Sequence, residues 1–214
     1  MTTLTLQPDA TEGIDTSLPA FSPNALGGGG TTLDVYHAGL GERNSLIKLD
    51  LTSIPSGSTI DSAILYLTVS NILSNWGAGR VAISQILSAN SAWIENSSWN
   101  YAVPSATRWA GDVGNNGGSD AGCSVSGTDF DSTPDADQSY TSGAADAFDV
   151  IAFTLTAARV ENLLVANYGW QLRQITSSAR IGFFSSDHAT EAYRPKLVVT
   201  YTAAGNPYYY YAQQ

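Results

Sequence analysis

Alternation of apolar and polar residues with a period of two constrains this chain more than any other feature. From Ile60 to Ser70, Ala63, Leu65, Leu67 and Val69 fall on one face and Ser62, Ile64, Tyr66 and Thr68 on the other, the pattern of a strand with one buried side. Ser45 to Leu51 repeats the pattern with Ile47, Leu49 and Leu51, and Ile54-Pro55-Ser56-Gly57 ends it as a turn. Further strands are predicted at Gly79 to Leu87, Phe148 to Leu155, Tyr168 to Ile175, Ile181 to Ser186 and Leu197 to Thr202. Weaker ones lie at Ile14 to Phe21, at Thr31 to Tyr36 and around Leu4 and Leu6. One helix is expected, Ala157 to Ala166, with Thr156 placed to cap it and Val160, Leu163 and Leu164 as its apolar stripe. A second helical turn fits Glu95 to Trp99. The predicted fold is all-β: an antiparallel two-sheet β-sandwich, most simply a jelly roll, with one short α-helix in a connection. It reads as a single domain over residues 1–202, followed by a tyrosine-rich arm at 203–214.

Charge narrows the function. Nine Lys and Arg stand against 19 Asp and Glu, a net charge of −10, so no basic surface is available for a phosphate backbone and nucleic-acid binding is excluded. No apolar run approaches the ~18 residues of a membrane span. One cysteine, Cys123, allows no internal disulfide. The opening MTTLTLQPDA has neither a basic nor an apolar leader region, which predicts a protein made in the cytoplasm without a signal peptide.

The acidic surplus is uneven. No Lys or Arg occurs from Trp109 to Ala158, whereas eight of the 14 Asp lie between Asp112 and Asp149, so residues 110–147 read as a long Gly- and Asp-rich surface loop. Within it, Asp129 with Asp131 and Asp135 with Asp137 place carboxylates at alternate positions, the candidate ligands of a Ca2+ ion; the competing reading is a solvated acidic loop. Trp76, Tyr101 and Trp109 are the candidate glycan-stacking rings, Trp93 and Trp99 are expected to pack a loop over the sandwich edge, and Trp170 belongs to the core. Neither His37 nor His188 accompanies a nucleophile motif, and no carboxylate pair stands out, so no catalytic residue is assigned and a non-enzyme is expected. Tyr208, Tyr209, Tyr210 and Tyr211 would form an apolar patch if left in water, and are expected to dock on another subunit or protein.

Several segments together resemble the DNRLRE-type β-sandwich domain. Glu42-Arg43-Asn44-Ser45-Leu46-Ile47-Lys48-Leu49-Asp50-Leu51, then Ser53-Ile54-Pro55-Ser56-Gly57-Ser58-Thr59-Ile60 and Ser62-Ala63-Ile64-Leu65, follow its arginine, strand, turn and strand pattern. Trp93-Ile94-Glu95, Ser98-Trp99-Asn100 and Pro104 are similar to its "W-x-E…W-N…P" stretch, and Phe148-Asp149-Val150 to its "F-D-V-T" strand. Tyr168 to Leu172, and Phe184 to Ser186 through Arg194 to Tyr201, resemble its closing strands. Such domains resemble carbohydrate-binding modules and also stand alone in phage structural proteins. The resemblance therefore implies a non-enzymatic virion protein, a capsid decoration or tail appendage subunit. Its partners would be other virion proteins or copies of itself, with host glycans at the outer loops. The alternative is an extracellular carbohydrate-binding module of a larger polysaccharide-active protein.

Overall fold

A computed structural model describes residues 1–37, 41–72, 78–114, 117–141, 147–176 and 179–204, with the backbone alone described at 71 and 72. The strands are β1 (Thr2–Leu6), β2 (Ile14–Pro19), β3 (Thr32–Tyr36), β4 (Arg43–Lys48), β5 (Thr59–Ile72), β6 (Gly79–Gln85), β7 (Tyr101–Val103), β8 (Thr107–Arg108), β9 (Ala136–Tyr140), β10 (Val150–Leu155), β11 (Trp170–Gln174), β12 (Arg180–Phe184) and β13 (Lys196–Thr202). One helix, α1 (Ala157–Leu163), joins β10 to β11. All strand pairs are antiparallel.

One sheet runs β1-β13-β5-β10. The other runs β12-β3-β4-β11-β6-β9, with β2 on the side of β4 away from β11. Strand β5, 14 residues long, belongs to both: Ala63 to Thr68 pair with β10, and Val69, Asn71 and Ile72 pair with β12. The chain is thus an antiparallel β-sandwich, as the period-two pattern predicts, with β5 passing from one sheet to the other. Its main core joins Ala63, Leu65, Leu67 and Val69 of β5 to Phe153 and Leu155, Leu197 and Val199, Ile181 and Phe183, and Trp170 and Leu172. Each such side chain contributes about 1.5–3 kcal/mol relative to exposure.

A second core lies on the outer face of the larger sheet. Ile47 of β4 points into the sandwich while its neighbour Leu46 points outward, where it meets Leu18, Ile86, Trp93, Trp99, Ala102, Trp109, Ala121 and Cys123. The described residues of 86–114 and 117–135 form this outer layer, and side chains of the sheet bind it directly. Asn44 Nδ2 donates to Gly122 O at 3.0 Å, Gln171 Nε2 donates to Cys123 O, and the Arg173 guanidinium lies 4.9 Å from the centre of the Phe130 ring.

The expected surface loop at 110–147 therefore differs from the structure. Ala121, Cys123, Asp129, Phe130 and Asp135 are buried, and its end forms β9, paired with β6 from Gly79↔Tyr140 to Ile83↔Ala136. Helix α1 stops at Leu163, and Thr156 does not cap it: the hydroxyl donates to Asp135 O at 3.0 Å. No helix forms at Glu95 to Trp99, where the Ser97 N to Ile94 O hydrogen bond closes a turn; a short 3-10 helix lies earlier, at Ser88–Asn90.

Candidate functional site

Backbone and arginine donors occupy the four aspartates expected to hold calcium. Asp129 is fully buried; its Oδ1 accepts from Gly111 N and Asn90 Nδ2, both at 2.8 Å, and its Oδ2 from Val125 N at 2.9 Å. Asp135 Oδ2 accepts from Trp170 Nε1 and Gln85 Nε2, each at 2.8 Å, while Oδ1 is paired with the Arg159 guanidinium. Arg159 also bridges to Asp131 at 3.2 Å, and Asp137 pairs with Arg80 at 2.5 Å. These carboxylates organise the outer layer and its seam with β6. They do not converge on one point: Asp129 is drawn to amides, Asp131 and Asp135 to Arg159, and Asp137 to Arg80.

The glycan candidates fare similarly. Trp109 is buried at 2% exposure with Nε1 donating to Ser98 O at 2.9 Å, so neither ring face can meet a sugar. Tyr101 is half-buried, and the Arg108 guanidinium covers its ring at 4.6 Å from the centroid. Trp93 and Trp99 pack in the outer layer as expected, and Trp170 lies in the main core. Trp76 and Tyr208 to Tyr211 lie outside the described residues.

A different cluster gathers where β2, the outer layer and the β12–β13 connection meet. One carboxylate oxygen from each of Asp15, Glu95 and Asp187 lies within 4.8 Å of the others. Asp15 Oδ2 accepts from Ser186 N at 2.8 Å, and Glu95 Oε2 accepts from Asp15 N at 2.7 Å. Asp15 is 2% exposed, and its Oδ1 has no hydrogen-bond partner; Asp187 Oδ2 is likewise buried without one. Among the described residues no Lys, Arg or His forms an ion pair with any of the three.

Burial pushes the Asp15 carboxyl up to about 7, the Ser186 amide and hydroxyl oppose this, and the charges of Glu95 and Asp187 add to it. Glu95 and Asp187 are raised as well, in each case chiefly by burial. Glycines bring the backbone in: a Cβ on Gly28 would stand 2.6 Å from Glu95 O, and one on Gly13 2.5 Å from Ser186 Oγ. Sequence reading passed over this cluster because its members are 80 and 92 residues apart in the chain. The available signals were a charged residue inside an apolar strand at Asp15, the Trp-x-Glu of residues 93–95, and the Gly27 to Gly30 run.

Near its other side lies a group of aromatic rings. Phe148, 57% exposed, is 5.7 Å from Phe184 and 5.0 Å from Tyr193 between ring centroids, and His188 lies 4.4 Å from Phe184. Phe148 has φ 76°, a conformation that L residues with bulky side chains rarely adopt. Hydrogen bonds to both sides of Val69 hold it there: Phe148 N to Val69 O and Val69 N to Asp149 O, each 2.8 Å.

No family model and no curated protein sequence matches the chain. Among solved structures it is similar to the K1 cleaved adhesin domain of Lys-gingipain from Porphyromonas gingivalis W83, at 11% identity, covering 96% of this chain and 100% of that one, with a TM-score of 0.31.

Proposed function

We propose that the chain is a non-catalytic structural protein of a phage virion, a capsid decoration or tail appendage subunit, that works by attachment to other virion proteins. The observation that carries this reading is the exposed Phe148 ring, held at φ 76° over Phe184 and Tyr193. Backbone strain of this kind costs on the order of 1–3 kcal/mol and concentrates at functional positions. Phe148 alone of these rings is exposed, and the strained backbone that holds it out over the half-buried Tyr193 and buried Phe184 distinguishes it from an ordinary surface residue. Its chemistry favours a protein partner over a sugar: phenylalanine offers no hydrogen-bonding group, and the nearby Arg194 Nε is spent on His188 O at 2.8 Å. The resemblance to DNRLRE-type domains that stand alone in phage structural proteins supports the same reading.

The test is Phe148→Gly, which removes the ring and relieves the strained backbone. Its melting temperature should equal or exceed the wild type's, while cosedimentation with particles lacking the subunit should weaken at least tenfold. Undiminished cosedimentation would overturn the reading. The second reading, a carbohydrate-binding module, draws on the half-buried Tyr101 ring, which has the Arg108 guanidinium beside it as a polar donor. A glycan array decides it: binding that Tyr101→Ala abolishes and Phe148→Gly leaves intact would favour the module.

A further inference from the structure

We propose that Asp15, Glu95 and Asp187 ligate one divalent cation of the Ca2+ class, which clamps β2, the outer layer and the β12–β13 connection to one another. The first observation is the convergence itself. Three carboxylate oxygens within 4.8 Å of one another fit on the surface of a single Ca2+ coordination sphere, whose diameter is about 4.8 Å for oxygens at ~2.4 Å. No protein cation offsets these charges among the described residues.

The second observation is independent of the cluster's charge. Asp15 Oδ1 belongs to a side chain 2% exposed and has no hydrogen-bond partner, and the buried Asp187 Oδ2 has none either. A buried oxygen without a partner loses its hydration for nothing in return, so native structures supply one. Among the described residues the Ser186 hydroxyl is the one side-chain donor beside Asp15, and it cannot satisfy the oxygens of Asp15, Glu95 and Asp187 at once; a cation satisfies them together.

The frame is built for this. Ser186 N fixes Asp15 through Oδ2, and Asp15 N fixes Glu95 through Oε2, the outer hydrogen bonds that orient metal-binding carboxylates. The donor set is oxygen only, which selects a hard cation over Zn2+ or Cu2+. Ca2+ is favoured over Mg2+, which gives up its waters reluctantly and seldom accepts a cage supplied by protein carboxylates.

The experiment uses the full chain, stripped with chelator and dialysed. Calorimetric titration with CaCl2 should give one site, and saturation should raise the melting temperature by roughly 5 °C at a hundredfold excess over Kd. Asp15→Asn and Asp187→Asn should each lose at least tenfold in affinity; Asp187→Asn, at the more accessible edge, serves if Asp15→Asn does not fold. Asp137→Asn, whose carboxylate pairs with Arg80, should bind as wild type. MgCl2 at equal concentration should shift the melting less. A flat titration at millimolar calcium, or binding that Asp187→Asn retains and Asp137→Asn loses, would overturn the proposal.

Discussion

Three N–H groups, from Gly111, Val125 and Asn90, meet at the carboxylate of Asp129. Asp129→Asn would turn an amide NH2 toward one of those donors, and should cost about 2–3 kcal/mol in urea unfolding. Trp109 is the apolar counterpart: Trp109→Ala should cost about 3–5 kcal/mol, because it empties the centre of the outer layer and leaves Ser98 O with Tyr101 N as its donor. Asp15 carries a pH dependence with a definite sign. Its folded value of about 7 lies above the ordinary 3.8, so in chelator the protonated form is favoured by folding. That contribution is fully present below about pH 4 and is lost as pH rises through about 7, a change on the order of 4 kcal/mol. Asp15→Asn, which keeps the neutral shape, should lack it. Urea midpoints of the two proteins at pH 4, 5.5, 7 and 8 check this: the wild type should lose ground to the variant as pH rises.

The strands were legible wherever one face is apolar and the other polar. β5, β10, β12 and β13 appear within one or two residues of where alternation places them, since burial on one side is what writes that pattern. β4 also hinted at more: Leu46 on its otherwise polar face is apolar because the outer layer covers it. β9 was not legible. Ala-Asp-Gln-Ser-Tyr carries no alternation of the usual kind, and it is a strand because β6 pairs with it and Arg80 holds Asp137. The seam between this strand and the helix depends on Asp135, which binds Trp170, Gln85 and Arg159 at once. Asp135→Ala should destabilise by about 3–5 kcal/mol, because it leaves the buried Trp170 Nε1 without an acceptor and takes from the partly buried Arg159 guanidinium its more buried partner, leaving Asp131. Denaturant unfolding gives the number.

At the scale of the whole molecule, two cores share one sheet. Trp93, Trp99 and Trp109 report on the outer core, and Trp170 on the inner. The links from Asn44 to Gly122, Gln171 to Cys123 and Trp93 Nε1 to Tyr168 O couple them. Tryptophan fluorescence and far-UV circular dichroism should therefore lose their native signals at the same denaturant concentration; an earlier fluorescence transition would mean that the outer layer melts alone. The sequence by itself determined the sandwich, its helix and the main core, because these follow from local periodicity that each strand carries within itself. Only the tertiary structure decided that the acidic segment is a packed layer and not a solvated loop, that its aspartates meet amides and arginines, and that Asp15, Glu95 and Asp187 come together. The acidic segment's aspartates find partners up to 57 positions away, and the Asp15, Glu95 and Asp187 cluster joins residues 80 and 92 positions apart. A carboxylate's charge is written in the sequence, but what neutralises it is set by which distant segment folds against it.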